Sequence, residues 1–322
     1  MAYRLKATET LSQGVKRIAT EQIDKAVKEL SDVENLGVGK AVHQTRRRLK
    51  KIRAVIRIVR HSLGKKTFDR ENQDFRDLGR KLSGLRDGEV IIETLDNLIT
   101  HSSNGTATEK FANIHRQLQV DYRQEYQNTV DNNSLTIVKQ ELKDAKKRIE
   151  RWKIKPDRWS AIDESFKQVY KRGYRDLSEA MSQPSVENLH EWRKRVKYLR
   201  YQLQIISPIW LELIDRWVDL TKNLTDYLGE DHDLAVLKEY ISSQPERFDR
   251  EHNLELLISL CDYRRQQLQS AAFLLGRKIY VEKPQRFSDR FGDYWKIWRN
   301  AVKQSKFDDN RAIANHQLIL LK

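Results

Sequence analysis

The segment HQTRRRLKKIRAVIRIVRH, residues 43 to 61, holds eight Lys or Arg and two His with no acidic residue, threaded with Leu, Ile and Val. On a helix turning about 100° per residue, His43, Arg46, Lys50, Arg53 and Arg57 fall within roughly 80° of one another. Leu49, Ile52, Ile56, Val59 and Leu63 gather on the other side. A second segment, LHEWRKRVKYLR, does the same: His190, Arg193, Lys197, Arg200 and Gln204 form a stripe opposite Trp192, Val196, Leu199, Leu203 and Ile206. Like charges at i and i+4 cost a helix a few tenths of a kcal/mol each, so solvated helix faces mix signs. A one-signed stripe occurring twice points instead to an anionic ligand. Neighbouring rungs lie about 5 Å apart along the axis. Arg offers paired donors to phosphate oxygens and Lys a point charge, so a linear chain of phosphates suits two such helices facing a shared channel. Arg47, Lys51 and Lys194 flank the stripes. Lys16, Arg17, Lys167, Lys171, Arg172 and Arg175 are expected to line neighbouring walls, with Lys167, Lys171 and Arg175 at i, i+4 and i+8.

These residues need helices to hold them, and the chain reads as all-α. Gly and Pro are scarce, and apolar residues recur at three- and four-residue steps almost everywhere. Helices are expected near 8–31, 40–63, 69–86, 88–100, 107–129, 135–151, 160–181, 186–206, 209–229, 233–241, 248–277 and 286–303. VHQTRRRLKKIR (42 to 53) matches LHEWRKRVKYLR (189 to 200) at an offset of 147, and LGRKLSGLRD (78 to 87) lines up with LTDYLGEDHD (224 to 233) at 146. Two motifs keeping one separation indicate two homologous helical halves joined near KIKPDRW (153 to 159), with a period too long for a solenoid. The weaker match of residues 15–27 to 166–178, at an offset of 151, requires a shorter following loop in the second half.

The 322 residues allow one or two domains, and 61 Lys plus Arg against 46 Asp plus Glu give a net charge of +15. One cysteine, Cys261, cannot build a disulfide framework and fits a reducing compartment. The amino terminus shows no apolar signal-peptide stretch, and the longest apolar run is too short to span a bilayer. The expectation is therefore a cytoplasmic protein without a membrane partner.

The text at His43 to Arg53, the HxxRKxxKxxRY at His190 to Tyr201, LSGLRDGEV (82 to 90), LGEDHDL (228 to 234) and LGRKIYVEKPQRF (275 to 287) together resemble the CHAD family, the conserved histidine α-helical domain. The likeness runs from about residue 8 to 303. It implies one domain over 1–322, with pseudo-symmetric four-helix-bundle halves at 8–152 and 159–305 around a basic central pore. It further implies binding of inorganic polyphosphate rather than catalysis, with no cofactor, and location at polyphosphate granules. Carried over by position, His43, Arg46, Lys50, Arg53, His190, Arg193, Lys197, Arg200 and Tyr201 match the family signature. Gln204, Ser83 and Glu89 depart from it, where Glu, Gly and Asp are usual.

Other readings of the same residues are weaker. His43 and His190 lack a second His or carboxylate at i+3 or i+4, the spacing for a metal site on one helix face. As phosphate donors, they would gain charge below about pH 6.5. EDHD (230 to 233) is the best local metal cluster, but Asp87 and Asp233 read better as caps of the following helices. No GxxxxGK[ST], HExxH, GxSxG or Glu-x-Glu occurs, so enzymatic signatures are mostly absent and no catalysis is expected. Nucleic acid is the main rival ligand, and an accessory subunit of a phosphate-metabolising enzyme is a further alternative. Trp192, Trp210 and Trp217 sit at apolar positions, where a core role is expected rather than base stacking, and Trp295 and Trp298 are expected to dock the last helix.

Overall fold

The computed structural model describes residues 3–82, 87–101, 109–129, 132–248 and 253–319; Ser83 and Arg86 of the LSGLRDGEV motif fall outside them. Described residues are helical almost throughout, with no strand among them. The long helices are α1 (Leu11–Ser31), α2 (Val38–Ile58), α3 (Lys65–Lys81), α4 (Asp87–His101), α5 (Ala112–Thr129), α6 (Asn132–Glu150), α7 (Asp163–Ser182), α8 (Val186–Ile206), α9 (Leu211–Ser242), α10 (Leu254–Ile279) and α11 (Pro284–Ile319).

Local chemistry fixes several ends. Thr10 and Gln13 form a capping box at the start of α1, and the Ser185 hydroxyl accepts from the Asn188 amide at 3.2 Å to open α8. Gly37 and Gly64 adopt φ of 76° and 75°, a region that side chains avoid, and there the chain turns into α2 and α3. The single helix expected over 40–63 is consequently divided: α2 ends at Ile58, and a separate turn, Arg60–Leu63, leads to Gly64.

The order of elements repeats. α1 packs on α2 and α6, as α7 packs on α8 and α11; α2 packs on α3, as α8 packs on α9; α4 packs on α5, as α9 packs on α10. The connection from α1 to α2 spans 32–37 and includes a helical turn, Val33–Leu36, while that from α7 to α8 spans only 183–185, in keeping with the shifted offset. One element breaks the correspondence. The two helices expected at 209–229 and 233–241 are the single helix α9, so Asp233 is interior to a helix and caps nothing. Gly229, within α9, lets the Arg193 side chain of α8 approach the backbone.

Two apolar cores hold these helices. The larger joins Ile18, Ile52 and Phe75 of the first half to Phe166, Trp192 and Leu224 of the second. The smaller joins Leu95 of α4 and Leu118 of α5 to Leu237 of α9 and Leu257 of α10. The halves are thus bonded through shared apolar surface, the main favourable term in folding. Trp192 and Trp295 are buried, and Trp217 and Trp298 are partly buried against the core. Trp210, expected inside, is 46% exposed, because it stands in the extended residue between a 3-10 turn and α9 and only its edge meets Tyr294.

Candidate functional site

α2 and α8 carry the two basic stripes and pack against each other, while α9 and α4 close in beside them. Between these four helices opens a cavity of about 880 Å³. Its wall takes His43, Arg46, Arg47 and Lys50 from α2, and His190, Arg193, Lys197, Arg200 and Tyr201 from α8. Residues separated by 147 positions in sequence thus face one space.

The cations are crowded. Lys197 is half-buried, and its pKa is pushed down to about 7 by loss of hydration and by Arg193, Lys50 and Arg200, against a weaker opposing pull from Asp233. Lys50 is lowered to about 8 by the same kind of desolvation and by Arg46, Arg193 and Arg53. Lys50 is more exposed than Lys197, so water screens its interactions more and Lys197 carries the larger share of the cost. Arg200 donates to the Thr225 hydroxyl at 3.3 Å. The Nε of Arg193 and that of Arg200 are buried with no hydrogen-bond partner among the described residues. Cationic donors therefore line the cavity without full compensation from the protein.

Burial also revises the histidine expectation. The His190 and His232 rings lie 4.4 Å apart between centroids. His190 falls to about 4 through burial, His232, Lys194 and Arg193, so it stays neutral far below the pH 6.5 anticipated for a free imidazole. His232 is lowered as well, by burial first and Arg193 second. Burial likewise raises the Tyr201 hydroxyl, which remains a proton donor.

The remaining basic candidates are placed elsewhere. Arg53 and Arg57 both donate to the Asn72 carbonyl oxygen, at 3.2 and 2.6 Å, and the Arg57 guanidinium lies 4.3 Å over the Tyr198 ring. This neutral acceptor orients both guanidiniums without cancelling their charge. Lys51 stands 4.7 Å from the Tyr3 ring centroid, and Lys194 pairs with Glu191. Lys16 donates to the Glu150 carbonyl at 2.9 Å, and Arg17 is held by Glu9 and Glu21. Lys167 pairs with Glu164 at 2.6 Å and Arg175 with Asp176 at 2.9 Å, while Lys171 and Arg172 are exposed on α7. None of these ten side chains lines the cavity, so the neighbouring walls expected from Lys16, Arg17 and the α7 cations are built otherwise. Lys16, Arg53 and Arg57 are drawn to acceptors distant in sequence, Lys167, Arg175 and Lys194 to carboxylates one or three residues away, and Lys171 and Arg172 face solvent.

Those walls come from α4 and α9, through Thr94, Asn97, Thr225, Glu230, His232 and Asp233. The cavity is less acid-poor than the stripes alone imply. Glu230 is, however, held by Arg264 at 2.7 Å, and Asp231 behind it by Arg265 at 3.1 Å. Those pairings commit carboxylates of EDHD to arginines, and no group of three metal-type ligands occurs among the described residues. Gly229 was the least legible member of the site. A Cβ there would lie 2.9 Å from Arg193 Nη2, so the glycine is what lets the guanidinium rest against α9.

Comparison with known proteins agrees with this architecture. The crystal structure of the CHAD domain from the plant Ricinus communis superposes with a TM-score of 0.60 at 14% identity, covering 87% of this chain and 95% of that one. PptA from Streptomyces chartreusis gives 0.59 at 14% identity, covering 85% and 100%. These likenesses speak to the fold. No curated protein sequence matches the chain. No described helix is long and apolar enough to cross a membrane. The CHAD domain family profile matches residues 17–242, which include both basic helices and the whole cavity wall, and the chain belongs to the CHAD domain family.

Proposed function

We propose that this protein binds inorganic polyphosphate in the cavity between α2 and α8 and performs no chemistry on it. The observation that carries this reading is the convergence of Arg46, Lys50, Arg193, Lys197 and Arg200 on one space of about 880 Å³. Burial first, and this clustering of like charge second, depress the lysine pKa values there. A flexible polyanion relieves that repulsion along its length, whereas a single small anion meets only part of it. His43, His190 and Tyr201 add hydrogen bonds to phosphate oxygens. Turnover would need several carboxylates converging to hold a metal or activate water, whereas Glu230 pairs with Arg264, Asp226 pairs with Lys222, and Asp233 stands in the wall among the cations Lys50 and Lys197. Granule location follows from the same binding, since a protein holding the polymer accumulates where the polymer does.

The test is calorimetric titration with long-chain polyphosphate at moderate salt, with a DNA oligomer of matched charge as competitor and Arg193→Ala/Lys197→Ala as control. Tight binding that DNA does not displace and the double variant loses supports the proposal. Equal competition by DNA would move nucleic acid to first place, since both ligands release counterions and salt dependence alone cannot separate them. Loss of helicity in the variant would mean that the stripe is structural.

A further inference from the structure

A second cavity, of about 410 Å³, opens where the start of α3, the end of α6 and residues 151–153 meet, and it shares no lining residue with the first. Arg70, Arg148, Arg151 and Lys153 stand in its wall with Thr67 and Trp152. Two of the cations are spoken for. Arg70 and Arg148 flank the fully buried Glu71 carboxylate at 2.9 and 3.3 Å, and Arg148 also reaches Asp74 at 3.0 Å. Arg151 and Lys153 are exposed and make no ion pair among the described residues. Four cations against these two carboxylates leave a surplus of positive charge at the rim.

Two further features favour an anion here. Trp152 is only 4% exposed, and its indole N–H is buried without an acceptor among the described residues, a state that native structures rarely leave unexplained. α3 begins at Gly64 with no side-chain cap and no acidic residue in its first turn, so the partial positive charge of that helix end is not offset locally.

We propose that this cavity is a second anion site, taking one compact phosphoryl group rather than a polymer. It has less than half the volume of the first cavity, and its cations come from one position on α3 and a short stretch at 148–153 instead of two long helix ladders. Guanidinium forks, an ammonium and an open helix start together suit the several acceptor oxygens of a phosphate dianion better than a carboxylate. The group arrives either as free phosphate or on a small phosphomonoester. This site stands independently of polyphosphate binding at α2 and α8.

The experiment uses the full chain carrying Arg193→Ala/Lys197→Ala, which removes two cations from the first cavity, and follows Trp fluorescence and heat on titration with inorganic phosphate and, separately, with phosphoserine at constant ionic strength. Saturable binding is expected, weakened about tenfold or more by adding Arg151→Ala/Lys153→Ala, since each change removes charge-assisted hydrogen bonds. Both side chains are exposed, so the melting temperature should stay unchanged. Tighter binding of inorganic phosphate would identify the free ion as ligand, and tighter binding of phosphoserine a phosphorylated small molecule. No saturation by either probe, or binding indifferent to the Arg151 and Lys153 changes, would overturn the proposal. Neither result depends on whether the first cavity takes polyphosphate.

Discussion

Lys197 is where the electrostatic cost of the cavity is concentrated. Its pKa drops from 10.5 to about 7 on folding. Between those values the unfolded chain holds the proton more firmly than the folded one, so stability rises with pH across that window; below it, the cost of the buried charge is present in full. A polyanion favours the charged form, so affinity should move the opposite way. From about pH 6.5 to about pH 9 the melting temperature of the unliganded protein is expected to rise while polyphosphate affinity falls. Lys197→Met should flatten much of both trends. Calorimetry in two buffers of different ionisation enthalpy checks the coupling directly, because binding near neutral pH should take up protons; matching heats in both buffers would refute it. A second expectation concerns Asn72, which holds Arg53 and Arg57 through one amide oxygen. Asn72→Asp would neutralise charge there without removing the acceptor. If these arginines extend the binding track, titration should show weaker polyphosphate binding with helicity retained.

Helix α9 shows how one glycine separates function from stability. Gly229→Ala would gain up to about 1 kcal/mol of helix propensity. Its Cβ, 2.9 Å from Arg193 Nη2, would push a flexible guanidinium out of place. Polyphosphate affinity should therefore fall while the melting temperature holds or rises. Gly276 on α10 makes the contrast: a Cβ there would meet the Trp192 ring at 2.5 Å, and that ring is fully buried. Gly276→Ala should cost about 1–3 kcal/mol through overpacking, read from urea unfolding. Should the two glycine variants behave alike, the close approach at Gly229 would have no bearing on the ligand. Both glycines fall within the helices expected over 209–229 and 248–277, and periodicity gave neither a role. It could not tell a turn from a close approach, because only a neighbouring helix distinguishes them.

Across the whole molecule, neither half closes its own apolar surface. α4 and α5 bury Leu95 and Leu118 against Leu237 and Leu257 of α9 and α10. The amino-terminal segment crosses to the second half, where the Leu5 amide donates to the Ile205 carbonyl at 2.8 Å, and Arg299 donates to the Glu9 carbonyl at 3.1 Å. Residues 8–152 expressed alone are therefore expected to lack a cooperative melting transition by circular dichroism, whereas the full chain should show one. A stable, cooperatively melting fragment would mean that the shared core adds little. The sequence by itself determined the helices, the two basic stripes and the repeat that pairs them, because helical periodicity and internal matching are properties of neighbours along the chain. It also indicated His43, Arg46, Lys50, Arg193, Lys197 and Arg200, since a one-signed ladder is unfavourable on a helix without a ligand. Only the tertiary structure decided which cations remain available. Lys16 finds the Glu150 backbone carbonyl, Arg17 the Glu9 carboxylate, and Arg53 and Arg57 the Asn72 amide oxygen. Acceptors distant in sequence become partners when helices pack, and desolvation within the cavity sets how strongly the remaining cations seek an anion.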